Sequence, residues 1–121
     1  MELEEKRQHK RINISVPINY EFLETDKKEI GDTLSKDISE SGVRASFNKF
    51  YPPKTKFLLR INFQDLNKII ETVAEVQWSL NKHFSNNYES GLHFSYVNPT
   101  YQNMLREYIQ IKETIKSERN N

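Results

Sequence analysis

Residues 5–22 read EKRQHKRINISVPINYEF, so a dense basic cluster runs directly into a two-residue alternation of apolar and polar side chains. The apolar positions are Ile12, Ile14, Val16, Ile18, Tyr20 and Phe22. This alternation predicts a strand with one buried face. Pro17 falls in the polar phase and has no N–H to donate, so we expect an edge position or a bulge there.

The two-residue alternation returns further along the chain, near residues 30–38, 43–47, 57–63, 70–78 and 88–96. Short polar links separate most of these segments, and the Pro52-Pro53 pair marks a loop because neither proline can donate to a sheet. Six short strands joined in this way predict an antiparallel barrel or sandwich.

The period of the apolar residues becomes helical near the C-terminus, as Tyr101, Met104, Leu105, Tyr108 and Ile115 show. Asn98 suits the N-cap of this helix and Pro99 suits its first position. We expect the amphipathic helix either to pack across the barrel or to plug an open end of it. The single domain then consists of a flexible arm over 1–11, a barrel over 12–97, a helix over 98–116 and a tail over 117–121.

Composition narrows the class of protein. The chain has 121 residues, a formal net charge of +1 and no cysteine, which suits one domain without disulfides or thiolate metal sites. Because the whole chain is nearly neutral, any attraction for nucleic acid has to come from a local patch. The N-terminus MELEEKRQ lacks a signal-peptide apolar region, and no apolar run reaches membrane length, so we expect a cytoplasmic protein.

Catalytic signatures are missing from the sequence. The three histidines show no metal-ligand spacing, and neither a nucleophile elbow nor a glycine-rich phosphate loop is present. We therefore expect neither an enzyme nor a metal site nor a cofactor.

Two local motifs combine residue types that bind nucleotides. Arg7-x-x-x-Arg11 supplies two guanidinium forks, which bind phosphate or the edge of guanine bidentately. DISESG supplies Asp37, Ser39 and Gly42 in the order D-x-S-x-x-G. A carboxylate accepts hydrogen bonds from the guanine N1–H and N2–H groups, and a hydroxyl beside free turn amides suits phosphate oxygens.

Each motif alone also has an ordinary structural explanation. A basic cluster of this size is usually a solvated tail, and Ser, Glu and Gly are good turn residues. Gly42 could simply supply a positive φ. If the arm folds over the turn, however, the two motifs together would form a compact reader of guanine and phosphate.

The combination resembles the PilZ domain, the bacterial receptor module for cyclic dimeric GMP (cyclic di-GMP). RQHKR corresponds to the family's R-x-x-x-R and DISESG to its D/N-x-S-x-x-G. AEVQW resembles the family's strand that ends in Trp, and YESGLHFSYVNPTYQNMLREYI resembles its G-x-x-F strand and closing helix, in which Gly91 and Phe94 are expected to be structural. The resemblance covers about residues 5–110 and implies a six-stranded antiparallel β-barrel closed by a C-terminal α-helix.

The resemblance implies a cyclic di-GMP receptor or adaptor in second-messenger signalling, rather than an enzyme. Arg7 and Arg11 would clamp the guanine edges and phosphates of the ligand. Asp37 would contact guanine, and Ser39 and Gly42 would support the guanine and phosphate contacts.

Three further residues enter the expected ligand-binding set. Arg44 matches a basic residue that some relatives use two places after the motif glycine. Trp78 matches a tryptophan near the ligand in some members, although its phase with Val76 also fits the core. Lys6 occupies the position that is thought to influence ligand number, and since lysine is cationic but not planar, one ligand and a self-stacked pair both stay open.

The resemblance also implies a switch. Like charges would keep the arm loose without ligand, and the ordered arm would present a new surface to an effector protein that the sequence does not identify. The alternative is a PilZ-like protein-interaction module that does not bind the nucleotide. A barrel for nucleic acid polymers is disfavoured by the net charge of +1, and no membrane span is expected.

Overall fold

The structure is a computed structural model that describes residues 10–24, 26, 29–82 and 84–119. Its strands are β1 (Ile12–Asn13), β2 (Pro17–Phe22), β3 (Glu29–Ile38), β4 (Gly42–Phe47), β5 (Lys56–Phe63), β6 (Lys68–Asn81) and β7 (Tyr88–Tyr96). A 3-10 turn (Gln64–Leu66) links β5 to β6, and the helix α1 (Pro99–Arg119) follows β7.

Six of the strands close into an antiparallel barrel. Neighbours follow the order β3-β2-β5-β6-β7-β4, and β4 pairs back with β3 to complete the ring. The short β1 adds to β3, with Ile12 opposite Ile38. The predicted six-stranded antiparallel barrel with a C-terminal helix is confirmed.

The alternation that opens the chain spans two strands rather than one. The backbone leaves the ladder over 14–16 and re-enters at Pro17, the first residue of β2. Between the pairs Asn13–Asp37 and Pro17–Leu34, residues 14–16 stand opposite only two residues of β3, so the predicted bulge lies directly before Pro17. The alternative of an edge position is wrong, because β2 lies between β3 and β5, and the first residue of a strand tolerates a missing N–H. The hydroxyl of Ser35 spans the gap: it donates to the carbonyl of Ile14 and accepts from the N–H of Val16 at 2.9 Å.

Inward-facing side chains from every long strand fill the barrel. Phe57 is fully buried, and its ring centroid lies 5.6 Å from that of Tyr20, 5.6 Å from that of Phe47 and 4.8 Å from that of Tyr51. Aromatic pairs at such distances add to the free energy of area burial. This core keeps the barrel wall rigid, so that outward-facing groups hold fixed positions.

Helix α1 packs against the barrel through one apolar stripe. Leu105, Tyr108 and Ile109 are buried, and the ring of Tyr108 lies 4.9 Å from that of Phe63. Asp65 accepts a hydrogen bond from the Tyr108 hydroxyl at 3.3 Å. Within the described residues, no helix is long and apolar enough to span a membrane.

The start of α1 agrees with the sequence. The Asn98 side chain accepts a hydrogen bond from the N–H of Thr100 at 2.9 Å, which confirms Asn98 as the N-cap. The helix continues to Arg119, beyond the expected end at residue 116, because its last residues include good helix formers such as Glu and Arg.

The buried Ser35 hydroxyl generates a stability prediction. Replacing Ser35 by Ala removes the partner of the Val16 N–H and of the Ile14 carbonyl. Leaving such groups unpaired in a barrel wall costs about 1–3 kcal/mol, so we expect a loss of that size in urea unfolding. Ser95→Ala, on an exposed position of β7, is the matched control and should change the free energy of unfolding by less than about 0.5 kcal/mol. Equal effects of the two variants would contradict this role of Ser35.

Candidate functional site

The turn between β3 and β4 is held by the Ser39 side chain. Its Oγ accepts hydrogen bonds from the N–H of Ser41 at 3.1 Å and of Gly42 at 3.2 Å, and its own N–H donates to the Gly42 carbonyl at 2.9 Å. Hydroxyl side chains stabilise turns in this way. The motif serine therefore shapes the turn from within, and it is buried at 5% exposure.

Gly42 is needed for space rather than for an unusual backbone angle. The expectation of a positive φ is wrong, because the described glycines all have other φ values. A Cβ on Gly42 would instead collide with the carbonyl oxygen of Leu92 on β7. The glycine of the motif thus allows β4 to approach β7 closely at the start of their ladder.

Four outward-facing positions form one row across the barrel wall, which we term the outer row. Asp37 of β3 lies opposite Arg44 of β4, Arg44 lies opposite Gly91 of β7, and Gly91 lies opposite Trp78 of β6. Because neighbouring strands are about 4.8 Å apart, the outer row spans roughly 14 Å.

The first two members of the outer row form an ion pair. The Nε of Arg44 donates to Oδ2 of Asp37 at 2.8 Å, and the Asp37 side chain is only 8% exposed. Oδ1 of Asp37 has no hydrogen-bond partner among the described residues, and none of their unpartnered side-chain N or O atoms is fully buried. Oδ1 therefore reaches solvent and can accept a hydrogen bond from a ligand.

Trp78 lies on the outer face because β6 contains a bulge. The register of β6 against β7 shifts between Val76 and Trp78, so Val76 points into the barrel and Trp78 pairs with the outward-facing Gly91. The alternative that Trp78 belongs to the core is wrong, since a bulge changes the face of the residues that follow it. A Cβ on Gly91 would collide with Nε1 and Cε2 of the indole, so the half-buried ring lies directly over this glycine.

A second charged group borders the outer row. Glu89 of β7 is 10% exposed and forms ion pairs with three cations. Lys82 Nζ lies 2.8 Å and Arg44 Nη1 lies 3.3 Å from Oε1, and Lys36 Nζ lies 4.0 Å from Oε2. The hydrogen bond from Lys82, together with the charges of Arg44 and Lys36, holds the pKa of Glu89 below its usual value despite the opposing effect of burial. Glu89 is thus a permanent anion at neutral pH.

The end of the arm comes close to the motif turn. Arg11 is exposed and directly precedes Ile12, which pairs with Ile38, the residue before Ser39. The register therefore carries Arg11 towards the turn that Ser39 holds. Arg7 and Lys6, which the sequence also places in the site, lie outside the described residues.

Helix α1 is tied to both halves of the site. Arg106 forms an ion pair with Glu40 of the motif turn. Its Nε donates to both carboxylate oxygens at 3.2 Å, and its Nη2 lies 3.0 Å from Oε1. Lys10 of the arm donates to Glu113 at 3.3 Å. Arg106 and Glu113 are seven residues apart, which places them two turns apart on one helix face.

The structure brings most of the expected site residues to one side of the barrel, namely Asp37, Ser39, Gly42, Arg44 and Trp78, with Arg11 at its border. Sequence reasoning missed the ionic partners Lys36, Lys82, Glu89, Glu40 and Arg106. Lys36 precedes Asp37 and Glu40 lies within the DISESG motif, so their position in the sequence was the one signal that could have placed them in the site. The contacts themselves join residues from different strands and from the helix.

Comparison with known proteins identifies the family. The profile of the PilZ domain family matches residues 5–110. The chain belongs to the PilZ domain family. PilZ domains are typically cyclic di-GMP receptors rather than enzymes. Comparison with curated protein sequences gives no match.

Several solved structures have the same fold as this chain. The inhibitor of motility MotI/DgrA of Bacillus subtilis matches with a TM-score of 0.78 and 22% identity over 91% of this chain. YcgR of Escherichia coli, solved in complex with c-di-GMP, matches with a TM-score of 0.77 and 15% identity over 95% of this chain. The K. pneumonia MrkH-c-di-GMP complex matches with a TM-score of 0.67 and 13% identity over 95% of this chain. This PilZ chain spans about half the length of each, covering 52%, 49% and 55% of them.

The contact between Gly91 and the indole generates a spectroscopic prediction. Replacing Gly91 by Ala forces the Trp78 ring away from the strand, because the added Cβ would occupy its space. Trp78 is the single tryptophan of the chain, so its fluorescence emission should shift to the red as the ring becomes more solvated. Crowding of this kind also costs about 1–3 kcal/mol in the free energy of unfolding. Ser95→Ala on the same strand is the control, and an unchanged G91A spectrum would contradict the described packing.

The lowered pKa of Glu89 predicts how its contribution depends on pH. A carboxylate with a depressed folded pKa stabilises the fold above its ordinary value of 4.5, and this contribution is lost as pH falls through the folded pKa. We therefore expect wild type to melt at a higher temperature than Glu89→Gln near about pH 6, with the difference shrinking towards about pH 3. A difference that stays constant across this range would show that ionised Glu89 contributes nothing specific.

Proposed function

We propose that this PilZ domain is a receptor for cyclic di-GMP, which it binds on the outer face of β3, β4, β7 and β6. The observation that carries the proposal is the outer row beside the motif turn. One rigid wall there presents an acceptor on Asp37, a held guanidinium on Arg44 and the indole of Trp78.

Guanine recognition is assigned to Asp37 and Arg44. Oδ1 of Asp37 can accept from the N1–H and N2–H groups of guanine, which only guanine among the common bases offers together. Arg44 is held at Nε by Asp37 and at Nη1 by Glu89, so the plane of its guanidinium is set before the ligand arrives. A planar guanidinium can stack on a base, and holding it in advance reduces the entropy cost of binding.

Trp78 is assigned a stacking role. One face of its ring lies over Gly91, and the half-exposed side chain leaves surface for a base. Stacking of a base on an aromatic side chain contributes about 1–3 kcal/mol. Trp78 and Asp37 lie at opposite ends of the outer row. We therefore propose that they contact different parts of the dinucleotide.

The phosphates are assigned to the arm and the motif turn. Arg11 and, by the family motif, Arg7 supply guanidinium groups, with Lys6 as an additional cation. Ser39 and Gly42 shape the turn near Arg11. We propose that the arm closes over the dianionic ligand because the ligand offsets the mutual repulsion of these cations. The coupling free energy equals the difference in ligand affinity between the open and closed arrangements.

The signal to an effector protein is proposed to pass through α1. Lys10 contacts Glu113 and the motif turn contacts Arg106, so one helix face touches both elements that meet the ligand. A change in the arm therefore changes the contacts of α1 and the surface beside it. The known complexes support the ligand assignment, since YcgR and MrkH were each solved with c-di-GMP on the same fold.

Isothermal titration calorimetry with cyclic di-GMP tests the proposal, with GTP as the competing guanine nucleotide. Replacing Arg11 by Ala removes a bidentate contact worth about 1–3 kcal/mol, so we expect Kd to rise by roughly 5- to 150-fold. Arg60→Ala is the matched control, since Arg60 pairs with Glu21 and Glu71 away from the outer row. Its Kd should stay within about twofold of wild type.

The calorimetry also separates the rival function. Binding of cyclic di-GMP with equal affinity by R11A and wild type would show that the site is wrongly placed. No binding by correctly folded wild type would favour the interaction module that lacks a ligand. The titration endpoint reports whether one ligand or a stacked pair is bound.

A further inference from the structure

The carboxylate of Glu89 is surrounded by three cationic side chains. Its carboxylate is 10% exposed, and the ammonium group of Lys82 and the guanidinium of Arg44 both contact Oε1, at 2.8 and 3.3 Å. Lys36 stands 4.0 Å from Oε2. Three cations, from β3, β4 and the β6–β7 loop, thus pair with the single carboxylate of Glu89.

This carboxylate lies beside the outer row. Glu89 precedes Gly91 by two residues on β7 and faces the same side, since residues two apart on a strand share a face about 6.8 Å apart. Arg44 belongs to both groups: Asp37 holds its Nε and Glu89 holds its Nη1. Any nucleotide on the outer row therefore has the charge of Glu89 as a close neighbour.

We infer that Glu89 is a selectivity residue, which admits a cyclic dinucleotide and rejects a linear one that carries a terminal phosphate. The inference rests on the proposed function. Specificity often comes from a group that repels the wrong ligand rather than from one that attracts the right ligand. Here the carboxylate of Glu89 repels a terminal phosphate, and it also pairs with Lys36 and Lys82, the cations that such a phosphate would need.

The charges of the two ligands explain the discrimination. A cyclic dinucleotide carries two phosphodiesters, with a charge of about −2, whereas the ring-opened linear form carries one phosphodiester and one terminal phosphate of about −1.5 to −2. The extra charge meets the Glu89 carboxylate, while Lys82 and Lys36 are already engaged by it. Without the carboxylate, the same two lysines would form a binding place for the terminal phosphate.

Calorimetry with cyclic di-GMP and with linear pGpG, on wild type and Glu89→Gln, tests this inference. The ratio of the two dissociation constants, linear over cyclic, should fall by about two- to fivefold in E89Q, which is the change that the loss of one ion pair provides. Glu71→Gln is the matched control: it makes the same substitution on an outward-facing residue of β6, where Glu71 pairs with Arg60 at 2.9 Å. The ratio for E71Q should equal that of wild type.

A double variant identifies the cation that gains the phosphate. Adding Lys82→Gln to E89Q should restore most of the wild-type ratio, because the freed ammonium group is then absent. Melting temperatures verify that each variant is folded before titration. An unchanged ratio in E89Q, with wild type binding cyclic di-GMP normally, overturns the inference and leaves the receptor function intact. Failure of wild type to bind cyclic di-GMP counts against the receptor function itself.

Discussion

The pairing of β3 with β4 is the contact on which the candidate site depends. It closes the ring of six strands and sets Asp37 opposite Arg44, where their side chains meet at 2.8 Å. The turn that joins the two strands is braced by Ser39, and Gly42 lets β4 approach β7. An open sheet would leave Asp37 on an exposed edge, with its carboxylate solvated and without a fixed direction.

Two bulges then bring additional residues to the outside of this closed wall. The register shift between Ser35 and Asp37 lets both Lys36 and Asp37 lie outside while Ser35 and Ile38 remain inside. The shift between Val76 and Trp78 does the same for the indole. A bulge adds one residue to one strand, so it exchanges the faces of all residues beyond it. Both irregularities border the outer row, and bulges are over-represented next to functional sites.

The charged side chains on the outer face of the barrel wall form ion pairs with one another rather than a continuous basic surface. The whole chain carries a net charge of +1, yet Arg44 is held between two carboxylates and Glu89 among three cations. Each charge fixes the direction of another, which keeps long side chains in place at little cost in entropy on binding. The link from Glu40 to Arg106 extends this arrangement to α1, so the motif turn and the helix share one network.

The amino-acid pattern was sufficient for the six strands, the helix with its Asn98 cap and the two motifs, because periods of two and 3.6 residues are local properties of the chain. The pattern could not show that the first strand divides at 14–16, that Trp78 faces outward, or that Glu89 collects Lys36, Arg44 and Lys82. Those features arise from register and bulges, which are set when distant strands pair around a closed ring. The motif residues of the candidate site are therefore visible in the sequence, while the faces they occupy and the ionic partners they meet follow from the closure of the barrel.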